Sequence, residues 1–121
     1  FDQGKKERGR KMIIDALMNP SINSRERFNT LRQCAEQAMT EGNRKQALKW
    51  YALLETMPIE KKEERARYLT HAWYEMGLIY ESLGQTEQAK EHYRNAMNQQ
   101  KGEMRTRTRA RDALESIEYF E

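Results

Sequence analysis

Apolar residues recur every three or four positions along most of the chain, which is the spacing of one face of an α-helix. Two such runs stand close together in the second half of the sequence, with a glycine in the turn between them. Their spacing predicts two helices that pack as a hairpin with its own core. The residues are Trp73, Met76, Gly77 and Tyr80 in the first run, Gly84 in the turn, and Ala89, Tyr93 and Ala96 in the second run.

Gly77 lies in the middle of the first predicted helix, where glycine costs about 1 kcal/mol relative to alanine. Small residues at Gly77 and Ala89 would let the two helices approach closely, while the large rings fill the space above and below. We therefore expect a close contact between the helices at Gly77.

This hairpin resembles a tetratricopeptide repeat, whose pattern is Trp, two residues, Leu-Gly, two residues, Tyr, and then Ala, three residues, Phe. Met76 stands in the place of the leucine and Tyr93 in the place of the phenylalanine. Lys101 occupies the position of the proline that usually ends the repeat. The agreement covers seven positions across a loop, so the chain is identified as a candidate long-repeat member of the tetratricopeptide family.

A weaker copy of the pattern lies 42 residues earlier, a step longer than the usual repeat of about 34 residues. Asn43 can cap its second helix, and Gln46 follows three residues later as in a capping box. The corresponding residues are Leu31, Cys34, Ala35 and Ala38, then Gly42, then Ala47, Tyr51 and Leu54.

These copies predict an all-α fold of about six helices in a single domain spanning residues 1–121. The resemblance implies that the antiparallel hairpins form a right-handed superhelix, or solenoid. No helix-breaking residue lies between Pro58 and Trp73, so we expect the first helix of the second hairpin to start early and cover residues 60–83. The predicted segments are a half repeat at 5–18, a repeat at 22–57, a repeat with an extended first helix at 59–100, and a capping helix at 103–121.

Composition supports an elongated array more than a large globular core. Charged residues make up 34% of the 121 residues, and the mean hydropathy is −1.10. In a solenoid each unit buries only the faces that meet its neighbours, so a small apolar content is sufficient. The formal charge is +3 with the two signs interleaved, which does not indicate nucleic acid.

Targeting features are few. No apolar run is long enough for a transmembrane helix, so no membrane insertion is expected for this fragment. The chain starts at Phe1 without a signal-peptide pattern, and we expect an excerpt of a longer protein or a mature form. These residues do not indicate a compartment, and the cytoplasm is the preferred expectation.

The resemblance implies that the first helices of successive hairpins line a concave groove that takes a peptide or helix of a partner protein. Tyr74 and Leu78 would then face outward as an apolar contact. The alternative is that another part of the chain covers these two side chains as ordinary core. The predicted groove residues are Asn29, Arg32, Glu36, Met39, His71, Tyr74, Leu78 and Glu81.

One subclass of the family binds a C-terminal carboxylate through two asparagines and several basic residues. Arg32 lies at one of the basic positions, but Glu36 and Glu75 lie at the asparagine positions. Carboxylates there would repel a carboxylate ligand. This departure argues against such a clamp and indicates a partner with positive charge or a mixed surface.

A run of alternating arginines near the C-terminal end is the most basic stretch. Alternation spreads the side chains around a helix, so a solvated helix is the preferred interpretation and contact with phosphates is the alternative. The residues are Arg105, Arg107, Arg109 and Arg111.

No catalytic, cofactor-binding or metal-binding residues are predicted. His71 and His92 lie on different predicted helices, and Cys34 occupies a core position. No glycine-rich phosphate loop is present.

The sequence therefore predicts a non-catalytic protein–protein interaction module with a protein or peptide partner. Two alternatives stay open. One is self-association as a homo-oligomer within a larger regulator or secretion component. The other is nucleic-acid contact through the arginine-rich helix, which we do not expect.

Overall fold

The computed structural model describes residues 2–121, and their side chains from residue 4 onward. This part of the chain is all-α, as predicted, with six α-helices and no strand. A short 3-10 turn continues the third helix. The elements are α1 (Asp2–Leu17), α2 (Ser24–Thr40), α3 (Arg44–Leu53), the 3-10 turn (Leu54–Thr56), α4 (Lys62–Ser82), α5 (Thr86–Asn98) and α6 (Met104–Tyr119).

The first helix of the second hairpin does start well before Trp73, but later than predicted. Lys61 has an extended backbone (ψ 115°), so α4 begins at Lys62 instead of residue 60. The helix ends at Ser82 because Gly84 adopts a left-handed conformation (φ 75°) that the helix cannot continue. α4 is nevertheless the longest helix, with 21 residues.

The turn between α2 and α3 has the geometry that its sequence predicts. Gly42 is left-handed (φ 78°), and the backbone N–H of Asn43 donates to the carbonyl of Ala38 at 2.8 Å. The Asn43 side chain then accepts a hydrogen bond from the backbone N–H of Gln46 at 3.1 Å. This bond satisfies one of the free donors at the start of α3.

The close contact at Gly77 is also present. A Cβ atom at this position would lie 2.4 and 2.6 Å from two ring carbons of Tyr93. The absence of a side chain therefore lets the Tyr93 ring lie directly against the α4 backbone. Tyr93 is fully buried there, together with Ala89 and Ala96.

The core consists of two clusters that meet at α4. The larger cluster runs from α1 through α2 and α3 to α4 and includes Leu31, Leu54 and Ile79. The smaller one lies between α5 and α6. Trp73 and Tyr80 are partly buried and pack against both clusters, and the Trp73 indole N–H donates to Glu55 at 3.1 Å.

The early turns of α4 pack against neighbours on two sides. Tyr68 stacks on Phe28 of α2, with ring centroids 4.3 Å apart and an interplanar angle of 10°. Thr70 is fully buried, and a Cβ atom at Gly102 would lie 2.2 Å from its hydroxyl oxygen. The extension of α4 is therefore part of the packed structure and does not project from it.

Arg27 joins two loops from a buried position that sequence patterns do not reveal. It is 3% exposed, and its guanidinium donates to the carbonyl oxygens of Asn19 and, at 2.7 Å, Pro58. The α1–α2 turn and the loop that precedes α4 are thereby held together. Its Nε atom is buried and has no hydrogen-bond partner in the described part of the chain.

Candidate partner-binding groove

The first helices of the hairpins, α2 and α4, share one face with α6. On this face His71 of α4 meets the ring of Phe28 of α2 edge-on, with centroids 5.6 Å apart. Glu75 of α4 interacts electrostatically with Glu36 of α2 and with Arg109 of α6. Side chains of all three helices therefore come together here, and we call this face the groove.

One end of the groove holds a cleft of about 460 Å³ between α2, α3 and α4. Three of the predicted groove residues line it, namely Glu36, Met39 and Leu78. Met39 and Leu78 are 38% and 39% exposed, which is high for large apolar side chains that face one another across a cleft. The remaining lining residues are Thr40, Arg44, Tyr51, Glu75, Ile79 and Ser82.

Arg32, His71 and Asn29 lie nearer the opposite ends of their helices. The Arg32 guanidinium lies 6.0 Å from the centroid of the Phe28 ring, and its Nε atom lies 4.0 Å from a Glu36 carboxylate oxygen. Burial lowers the pKa of His71, and the charge of Arg32 lowers it further, against opposing contributions from Glu103 and Glu36. The neutral imidazole is therefore favoured. Asn29 is half-buried.

Tyr74 and Glu81 contact the second helix of their own hairpin. The Tyr74 ring lies 6.0 Å from that of Tyr93, and Tyr74 packs against the cluster between α5 and α6. The Tyr93 hydroxyl donates to a Glu81 carboxylate oxygen at 2.7 Å. The outward apolar surface predicted for Tyr74 and Leu78 together is therefore formed by Leu78 and Met39, because Tyr74 is half-buried against its own hairpin.

Glu75 is a carboxylate of the groove whose pKa is raised. Burial raises its pKa, and the nearby charge of Glu36 raises it further, while Arg109 and Arg32 act in the opposite direction. No hydrogen bond links its carboxylate to any other side chain or backbone group in the described part of the chain.

Tyr51 is a member of the cleft that sequence reasoning assigned to packing alone. It is only 3% exposed, yet it lines the cleft, and its hydroxyl has no hydrogen bond within residues 4–121. Burial raises its pKa, and the charges of Glu75 and Glu36 add to the shift. The sequence does contain a signal for this difference. The 42-residue step relates Tyr51 to Tyr93 and Met39 to Glu81, so the first hairpin has a methionine where the second has the acceptor of the tyrosine hydroxyl.

The arginines of α6 do not form one basic stripe. Arg107 donates to the backbone carbonyls of Met97 and Gln100 at 3.1 and 3.4 Å, so it fastens α6 to the end of α5. Arg111 lies 3.3 Å from Asp112 and 4.0 Å from Glu115. Arg109 interacts electrostatically with Glu75, and both Arg109 and Arg105 are exposed.

Side chains suited to catalysis or metal binding are few in the described part of the chain. In the described part of the chain, no group of three or more His, Cys, Asp and Glu side chains is placed to hold a metal ion. Burial raises the pKa of Cys34, which disfavours the reactive thiolate. The Nδ1 atom of His92 lies 2.8 Å from the backbone carbonyl oxygen of Gln88, within hydrogen-bond distance. Among the described helices, none is long and apolar enough to cross a membrane.

Comparison with known proteins agrees with this architecture. The family profile described as Tetratricopeptide repeat matches residues 70–101, which cover most of α4, all of α5 and the turn after it. Searches of curated proteins and of solved structures gave no significant match. Members of this family are typically non-catalytic interaction scaffolds. The chain therefore carries a tetratricopeptide repeat at residues 70–101, within an all-α helical-repeat fold.

Proposed function

We propose that the protein is a non-catalytic interaction module that holds a peptide or helix of a partner protein in the groove formed by α2, α4 and α6. The observation that carries this proposal is the pair of apolar side chains, Met39 and Leu78, that remain exposed on opposite walls of the cleft. Met39 belongs to α2 and Leu78 to α4, the first helices of the two hairpins.

Charge around this apolar pair would orient the partner. Glu36 lines the cleft beside this pair, Arg32 and His71 lie further along the groove, and Arg109 contributes from α6. An apolar anchor surrounded by polar groups is the usual composition of a small peptide site, in which the anchor supplies affinity and the polar groups supply orientation.

Selection from a displayed library of random 16-residue peptides tests the proposal. We expect sequences that bind the wild-type protein and lose at least about tenfold in affinity for Leu78→Asp, since a charge would replace an apolar anchor. Met12→Asp is the matched control, because Met12 is 72% exposed on α1 and lies outside the groove. Peptides that bind both variants as tightly as the wild type would refute the groove as the site.

Self-association is a second candidate, supported by a different observation. Tyr119 and Phe120, at the end of α6, are each 82% exposed and contact each other edge-on at 5.0 Å. Such a pair could meet another copy of the chain. Light scattering over a concentration series would show a rising mass that Phe120→Ser abolishes; a constant monomer mass would eliminate this candidate. Nucleic-acid contact has no comparable support, because the α6 arginines are dispersed around their helix.

A further inference from the structure

The two hairpins differ in the partner of one tyrosine hydroxyl. In the second hairpin the Tyr93 hydroxyl donates to Glu81, so the polar end of a fully buried ring has a partner. In the first hairpin the equivalent pair is Tyr51 and Met39, and a thioether is only a weak acceptor. Among residues 4–121, the Tyr51 hydroxyl is therefore left without a partner at the cleft wall.

A second unsatisfied group faces the same cleft. The Glu75 carboxylate is half-buried and has no hydrogen bond in the described part of the chain, and the Glu36 carboxylate lies close enough to raise its pKa. Both oxygen-bearing groups lie at the wall of an open cleft, and neither bonds to another described residue. The Glu75 carboxylate and the Tyr51 hydroxyl can therefore accept hydrogen bonds from a donor that enters the cleft.

The neighbouring cations do not supply that donor. Arg32 reaches Glu36 only at 4.0 Å, and its Nε makes no hydrogen bond to any residue that the structure describes. Arg109 influences Glu75 without an ion pair within 4.0 Å, and Arg44, which lines the cleft, is exposed at the first residue of α3. His71 favours its neutral form. The two carboxylates thus retain capacity for an additional cation.

The walls suit the aliphatic part of a long side chain. Met39 and Leu78 are exposed toward the cleft, and Ile79 completes an apolar lining next to the carboxylates. Lysine and arginine bury an aliphatic stem along apolar surface while the charged head reaches polar partners.

We infer that this cleft is a subsite for one lysine or arginine side chain of the partner, whose stem lies between Met39 and Leu78 and whose head donates to Glu36, Glu75 and the Tyr51 hydroxyl. The inference rests on the proposed function and adds the chemistry of the partner.

Titration with single amino acid derivatives tests the subsite directly. We expect Nα-acetyl-lysine amide or Nα-acetyl-arginine amide to shift the methyl resonances of Met39, Leu78 and Ile79 saturably in ¹H–¹³C spectra. Glu75→Gln should weaken this binding about tenfold, because a charge-assisted bond is lost. Glu91→Gln, on the exposed surface of α5, should leave it unchanged.

Other results of the same titration would overturn the inference. Equal shifts with Nα-acetyl-norleucine amide would show a purely apolar cleft, and stronger shifts with Nα-acetyl-glutamate amide would show that Arg44 dominates. No saturable shift with either basic derivative would show that no such subsite exists. Glu75 lies at the surface of the cleft, so we expect its substitution to leave the protein folded. Thermal unfolding of each variant checks this.

The peptide library separates this inference from the proposed function. Selected peptides rich in lysine or arginine, with affinity that Glu75→Gln reduces, would support both. Peptides that depend on Leu78 but contain no basic residue would overturn the subsite and retain the groove. A library that yields no binder would count against the proposed function, whatever the titration shows.

Discussion

Tyr51 and Tyr93 show how one partner residue changes the role of the same side chain. Both are buried at equivalent positions of the two hairpins, 3% and 0% exposed. Glu81 satisfies the hydroxyl of Tyr93, whereas Met39 leaves that of Tyr51 free. A satisfied hydroxyl contributes to stability, while an unsatisfied one contributes little and is available to a ligand.

Replacing each tyrosine by phenylalanine should separate these roles. We expect Tyr93→Phe to lower the free energy of unfolding by about 1 kcal/mol, because the hydrogen bond to Glu81 is lost. Tyr51→Phe should leave it nearly unchanged or slightly higher. Urea unfolding followed by circular dichroism measures both. Equal losses in the two variants would show that the Tyr51 hydroxyl has a partner in the folded protein.

Glu75 should destabilise the folded protein at neutral pH. Its pKa is raised from the ordinary value of 4.5, so folding favours the protonated carboxyl; the penalty for the charged form grows as the pH rises from the ordinary pKa to the raised one and is complete above it. Glu75→Gln should therefore be more stable than the wild type at about pH 7, and the gain should disappear toward about pH 4, where Glu75 is protonated. Unfolding at the two pH values, with Glu91→Gln as the control, measures this. A pH-independent difference would contradict the assignment.

At the scale of the helix, the α4–α5 contact depends on the absence of a side chain at one position. Gly77→Ala should destabilise the protein by about 1–3 kcal/mol, because the new methyl would collide with the ring of Tyr93. Helix propensity alone predicts the opposite sign, a gain of about 1 kcal/mol. Gly9→Ala in α1 should show that gain, because a Cβ atom at Gly9 would have no described neighbour within 4 Å apart from its own helix backbone. Matching changes at both sites would mean that the helices do not approach closely at Gly77.

The contact between the loops at Asn19 and Pro58 also depends on one residue, Arg27. Arg27→Met retains much of the stem but leaves the carbonyls of Asn19 and Pro58 without their donor, so we expect a loss of about 1–3 kcal/mol. Arg25→Met, on the exposed side of the same helix, should change stability by less than about 0.5 kcal/mol. Thermal unfolding compares the two. A neutral Arg27→Met variant would show that the loops hold their positions without it.

Sequence patterns predicted the elements well because their signals are local. The turn glycines Gly42 and Gly84, the Asn43 cap and the small residue at Gly77 all act within a few residues or across one hairpin. Arg27 was not predicted, because its partners are backbone carbonyls of distant loops and their positions follow only from the assembled fold.

At the scale of the whole molecule, the position of α6 determines which side chains of the groove remain exposed. It covers the small cluster between itself and α5, where Tyr74 is partly buried, and it brings Arg109 toward Glu75. Helical periodicity alone could place Tyr74 and Leu78 on the same outward stripe, but it could not show how much of that stripe the neighbouring helices cover. The exposed apolar contact therefore lies at Leu78 and Met39, on the side of the groove away from the α5–α6 cluster.

We propose that a partner segment binds in the groove formed by α2, α4 and α6. The most direct measurement is an NMR map of the resonances that shift when a library-selected peptide is added to the wild-type protein. We predict that the largest changes fall on Met39, Tyr51, Glu75 and Leu78, with smaller ones at Arg32 and Arg109. Changes concentrated on the exposed faces of α1, α3 and α5, with the groove unaffected, would contradict the account.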